Sequence, residues 1–175
     1  VALGTERDIK TLLELILTQA RRITQSDAGS LYLVELSEEG KKRMRFRLAQ
    51  TFSKPDAPFV EFTIPVDRTS LAGYCAVTGD PLVIDDAYFL PPDVEYTINR
   101  SFDERYGYRT KSMLVLPMKD HKDEIIGVLQ LINRKRSLDA VLSRAAGGER
   151  QVVPYSEATG QLVTLLARPA GWAPR

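Results

Sequence analysis

With 175 residues, 43% hydrophobic and 27% charged, the chain is long enough for one domain with a sizeable buried core, and disorder as its main state is disfavoured. Lys and Arg number 24 and Asp and Glu 23, a net charge of +1, so no global field draws in nucleic acid or an anionic membrane, and a ligand must be captured locally. The single cysteine, Cys75, excludes an internal disulfide and a zinc cluster and favours a reducing compartment.

No run of eighteen apolar residues and no signal-peptide start is present, so the expected location is cytoplasmic. The chain opens on Val1 rather than Met and ends in a stretch holding Pro169 and Pro174, which reads as a segment of a longer protein.

From Glu6 to Ile23, the residues Ile9, Leu12, Leu13, Ile16, Ala20 and Ile23 recur every three or four positions and predict an amphipathic helix. Leu15 and Leu17 fall off that stripe, as part of a broad core face or as a patch for a partner subunit. Asp27-Ala28-Gly29 is expected to break the helix before a strand through Leu31 and Leu33, closed by the turn Ser37-Glu38-Glu39-Gly40. The next strand sets Met44, Phe46 and Leu48 on one face and Arg43, Arg45 and Arg47 on the other, a basic stripe that reads as a solvated outer face or an anion site. A third extended stretch runs from Phe59 to Val66.

Thr69-Ser70 supplies cap hydroxyls for a short helix through Leu71, Tyr74, Cys75 and Thr78, closed by Gly79. Cys75 reads as a packed small hydrophobe, since nothing beside it would stabilise a thiolate. Pro81 to Ile84 is a brief strand, and 85–96 has no clear period. A short helix is expected from about Asn99 to Tyr106, closed by Gly107, and then a strong hairpin of Met113–Met118 and Ile125–Ile132, apolar enough to be central and covered on both faces. A polar loop over 134–153, with one helical turn around Ala140 to Ala145, leads to a last helix capped by Ser156 and carrying Leu162, Val163, Leu165 and Leu166. Helices segregated from an antiparallel sheet make this an α+β layered domain.

Three segments then carry a resemblance. They are Leu71-Ala72-Gly73-Tyr74-Cys75-Ala76-Val77-Thr78-Gly79-Asp80-Pro81-Leu82-Val83-Ile84-Asp85-Asp86, Ser112 to Met118, and Ile126-Gly127-Val128-Leu129-Gln130-Leu131-Ile132-Asn133. In this order, with Ala28-Gly29-Ser30-Leu31-Tyr32-Leu33, they resemble the landmarks of GAF domains across about 8–166 of a single domain spanning 1–175. The resemblance implies an antiparallel sheet of five to six strands, the terminal helices on one face and short helices and loops on the other. The run Arg100 to Met113 is most similar to GAF domains ahead of HD-GYP-type phosphohydrolases in bacterial signalling proteins. That implies a C-terminal output domain acting on cyclic dinucleotides, and the two end helices suit transmission to it in a homodimer.

GAF domains that bind cyclic nucleotides carry an Asn-Lys pair and, later, a Phe followed three residues on by Asp-Glu. Asn133 matches, but Arg134 stands for the Lys, Tyr155 for the Phe, and Thr159-Gly160 for the acidic pair. The motif's internal ion pair is therefore expected to be absent, which puts binding of cyclic AMP or GMP in question.

For chemistry, the only histidine, His121, lies in a hairpin turn, and the neighbours Asp85-Asp86 and Asp103-Glu104 point apart, so no nucleophile, acid-base dyad or catalytic residue is assigned. Both carboxylate pairs are expected to cap helix ends. No phosphate loop or metal-ligand spacing is present, no cofactor is identified, and the arginine stripe lacks the aromatics that stack unpaired bases. The ligand-binding candidates lie in 85–112: Tyr88, Tyr96, Phe102 and Tyr108 as walls, and Asp103, Thr110 and Ser112, with Arg109, as orienting groups. The expected ligand is an unidentified small molecule, nucleotide-like ones among the candidates. The rival expectation is a ligand-free dimerisation scaffold in which these aromatics fill their own layer.

Overall fold

A computed structural model describes residues 5–143 and 148–166. Helix α1 covers Glu6–Thr24, with the Thr5 hydroxyl accepting from the Asp8 amide and Gln25 ending it in the left-handed region at φ 57°. Asp27-Ala28-Gly29 therefore does not break the helix; these residues open strand β1, Ser26–Leu36. Next come β2 (Lys42–Thr51), β3 (Thr63–Pro65, all that is strand in the expected 59–66 stretch), α2 (Leu71–Thr78), β4 (Leu82–Ile84) and α3 (Ser101–Tyr106). Then follow β5 (Met113–Lys119), β6 (Ile125–Lys135), β7 (Val152–Val153) and α4 (Glu157–Leu166).

The strands form one antiparallel sheet in the order β3-β2-β1-β6-β5-β4, with β7 paired to the end of β6. Successive residues of β5 serve opposite faces. Leu114, Leu116 and Met118 join a core with Leu13, Leu17 and Ala20 of α1 and Val163 of α4, while Met113 and Val115 join a second core with Leu71, Ala72 and Cys75 of α2. The hairpin is thus covered on both faces, with the terminal helices on one side. An added Cβ on Gly127 would stand 2.4 Å from the Tyr32 carbonyl oxygen, so the glycine is what lets β6 lie this close to β1.

Three local expectations are corrected. The expected stripe of α1 packs into the core through Ile9, Leu12, Leu13, Ile16 and Ala20, but its last member, Ile23, is 45% exposed, and the buried face widens to Leu17, 0% exposed, while Leu15 stays 55% exposed. Leu17 is therefore core and no part of a partner patch; it packs over Gly29, where an added Cβ would come within 2.6 Å of its Cδ1. In β2, Leu48 pairs with Leu31 and Phe46 with Tyr32, so a bulge at Arg47 sends Leu48 to the α1 side and keeps Met44 on the α2 side. Strict alternation cannot survive that extra residue. Finally, β6 continues three residues past Ile132, and 140–143 is not helical; the remainder of the expected turn, 144–145, and the prolines at 169 and 174 lie outside the described residues.

Candidate functional site

The arginines of β2 face carboxylates of this chain. Glu35 receives Arg43 Nε at 2.7 Å and Arg45 Nε at 2.5 Å, Arg45 also reaches Glu61 at 3.4 Å, and Arg47 pairs with Glu6. The Arg45 hydrogen bond, helped by that from Arg43, outweighs desolvation and holds the Glu35 carboxyl down at about 2. The stripe is a self-neutralised surface. Cys75 lies on the buried side of α2, and burial pushes its thiol up to about 12, as befits a packing residue.

Segment 85–112 gathers some of the candidate residues and separates others. Asp103, in the first turn of α3, is 2% exposed and accepts from the Thr110 amide at 2.8 Å, the Thr110 hydroxyl at 2.9 Å and the Tyr88 hydroxyl. The Tyr88 ring lies between two guanidiniums, with the central carbons of Arg100 and Arg109 each 3.8 Å from its centroid. Arg109 is held in place by both oxygens of Asp86, at 2.8 and 2.9 Å, and by the Thr110 carbonyl at 2.6 Å. Neither acidic pair caps a helix as expected. Asp86 orients Arg109 and accepts from the Tyr88 amide, and Asp103 ties α3 to Thr110.

Phe102 and Tyr108 form an edge-on pair 5.8 Å apart in a small cluster with Ala28 and Leu142. Tyr96 is placed apart from them, in the α2 core against Tyr74 with centroids 4.9 Å apart. Ser112 is buried, its hydroxyl accepting from the Arg134 amide at 3.2 Å.

Beneath this segment lies a polar network that sequence reasoning missed. Asp27 is fully buried, and its Oδ1 receives Lys135 Nζ at 2.9 Å and Ser53 Oγ at 2.6 Å, while Oδ2 receives the Tyr108 hydroxyl at 2.7 Å. Lys135, also 0% exposed, further donates to the Ala140 carbonyl at 2.6 Å and sits 4.2 Å from the Phe52 centroid. Burial and the neighbouring Asp27 carboxylate hold the Tyr108 hydroxyl well above the ordinary tyrosine range. Asn133, at φ 58°, donates to the Tyr108 oxygen at 3.0 Å and the Arg109 carbonyl at 2.8 Å, and accepts from the Lys111 amide at 2.7 Å. Asparagine tolerates that left-handed backbone, which a β-branched residue would not.

An internal ion pair is therefore present, made by residues other than those of the motif. Its lysine stands two positions after Asn133, and its carboxylate comes from β1. Tyr155, at the expected Phe position, is buried with its hydroxyl 2.6 Å from Ser26 Oγ. The signal was faint: one acidic residue in the small-residue start of β1, and one lysine beyond the apolar run of β6.

The family model for the GAF domain matches residues 8–173. The chain belongs to the GAF domain family. GAF domains are regulatory. Over 136 residues, 74% of this chain, it is 32% identical to the dual 3',5'-cyclic-AMP and -GMP phosphodiesterase 11 of Drosophila melanogaster. Over 137 residues, 75% of the chain, it is 30% identical to the cGMP-specific 3',5'-cyclic phosphodiesterase of Drosophila virilis. These stretches are 9% and 15% of those relatives' lengths. A GAF domain/HD domain protein from Geobacter sulfurreducens shares the fold, with a TM-score of 0.55 across 91% of this chain and 87% of that one at 14% identity. Among the described residues of this GAF domain, no helix is long and apolar enough to cross a membrane.

Proposed function

We propose that this GAF domain binds a small molecule through segment 85–112 and thereby controls an output domain in a homodimeric signalling protein. The carrying observation is the Tyr88 ring held between Arg100 and Arg109 with its hydroxyl on buried Asp103. Two flat cations around a planar ring, with an orienting carboxylate below, suit a planar, hydrogen-bonding ligand of nucleotide type that takes the place of the tyrosine. Tyr88, Phe102, Asp103, Tyr108, Thr110 and Ser112 contribute to this site, and Tyr96, packed against Tyr74 in the α2 core, lies outside it. The likeness to stretches of cyclic-nucleotide phosphodiesterases supports a nucleotide ligand, and the GAF domain/HD domain neighbour supports a phosphohydrolase output of HD-GYP type acting on cyclic dinucleotides.

A ligand-free dimerisation scaffold is the second reading. It is favoured by the internal partners that Asp103, Tyr108 and Thr110 already have, and by Leu15 on α1 and Leu162 on α4, 55% and 50% exposed.

A thermal-shift screen against cyclic mononucleotides, cyclic dinucleotides, purines and a metabolite panel separates the two. A ligand at a hundred times its dissociation constant adds about 2.7 kcal/mol, and the binding reading expects such a hit, weakened by Arg109→Ala. A panel without any shift, alongside a dimer that Leu15→Glu dissociates, would support the scaffold instead.

A further inference from the structure

We propose that the Asp27 carboxylate is a coupling node that makes the placement of segment 108–112 and the docking of crossover 136–142 mutually dependent, and passes that state to the ends of α1 and α4. The inference deepens the regulatory reading above by supplying its route.

The two carboxylate oxygens serve different parts of the chain. Oδ2 holds Tyr108, and through Asn133 the same cluster fixes the Arg109 carbonyl and the Lys111 amide. Oδ1 holds Lys135 and Ser53, and these two hold the crossover: Lys135 Nζ by the Ala140 carbonyl, and Ser53 Oγ by the Leu142 amide at 2.7 Å. Next to Asp27 in β1, Ser26 Oγ lies 2.5 Å from Thr24 Oγ1 in the last turn of α1 and 2.6 Å from the Tyr155 hydroxyl, just ahead of α4. Arg21 of α1 adds a bond to the Asp27 carbonyl at 3.2 Å.

Thr24, Ser26, Asp27, Ser53, Tyr108, Asn133, Lys135 and Tyr155 are all buried. In such low dielectric a donor that leaves the carboxylate is not replaced by bulk water, so the remaining donors must rearrange around the unsatisfied oxygen. A shared acceptor of this kind favours discrete arrangements over gradual deformation, and coupling through it must be reciprocal. The chain from Tyr88 to Asp103 to Thr110, one residue on from Arg109, brings the candidate ligand site to its edge.

Amide hydrogen exchange on the unliganded domain tests this, with the Val128 amide in central β6 as the reference for global opening. Tyr108→Phe should raise exchange at Leu142 about tenfold beyond that reference, and Ser53→Ala, the milder variant, should do the same at Lys111. In Tyr108→Phe/Ser53→Ala the two effects should fall short of their product. Increases confined to the segment that carries the substitution, or a double variant equal to the product, would overturn the coupling. No ligand enters this experiment, so a failed ligand screen with reciprocal exchange sinks only the binding reading, and a ligand hit with confined exchange sinks only the coupling.

Discussion

Replacing Lys135 by Met tests the buried ion pair most sharply. The ammonium is 0% exposed, 2.9 Å from Asp27 and 2.6 Å from the Ala140 carbonyl, and its loss leaves the carboxylate, among the described residues, with the Ser53 and Tyr108 hydroxyls and takes the ammonium donor from the carbonyl. Breaking a buried pair from one side costs about 3–5 kcal/mol, because the surviving charge stays desolvated. For a chain of this size the melting temperature should fall by roughly 6–20 °C, and the urea midpoint should drop at unchanged slope. Asp27→Asn/Lys135→Met, which removes both charges, should be clearly more stable than the sum of its single variants predicts. Arg43→Met at the half-exposed Glu35 pair is the control and should cost less than about 1 kcal/mol. If Lys135→Met costs no more than that control, the ammonium is solvated in solution and the reasoning fails.

The remaining predictions concern the frame. Leu17→Ala should cost about 2–5 kcal/mol in denaturant titration, whereas Leu15→Ala should stay within about 0.5 kcal/mol for the monomer. Gly127→Ala should destabilise by at least about 1–3 kcal/mol, since the new methyl meets the Tyr32 carbonyl and the strands must part. Glu35, held at about 2 against a usual 4.5, stabilises the fold fully above about pH 4.5 and loses that contribution as pH falls toward 2. Glu35→Gln should therefore show a shallower decline in stability across that window in pH-dependent melting. Cys75 should react with a thiol reagent at pH 8 only at the rate of unfolding, and fast native labelling would contradict its burial.

How far the sequence could be read depended on whether a feature was local. The Ser70 and Gly79 boundaries of α2, the Gly107 stop of α3 and the Met113–Ile132 hairpin follow from capping hydroxyls, left-handed glycines and apolar runs, all visible within a few residues. The stripe of α1 was legible, but the full burial of Leu17 beside it was not, because it is set by where β1 approaches at Gly29. The Arg47 bulge is a misfit between two strands and has no single-strand signature. In the candidate site the aromatic and polar residues of 85–112 were named, yet the structure divides them, with Tyr96 against Tyr74 and Tyr88 with Asp103 and Thr110. The Asp27–Lys135 pair spans 108 residues, and no spacing rule announces a partner at that distance.

Calorimetric titration of the first thermal-shift hit into the purified domain tests the central claim most directly. The account predicts one ligand per chain, a negative heat-capacity change from burial against the aromatic segment, and loss of binding in Arg109→Ala with the fold retained. Absence of heat from any compound in the panel, or binding unchanged by Arg109→Ala and Tyr88→Ala alike, would contradict a sensor site in segment 85–112.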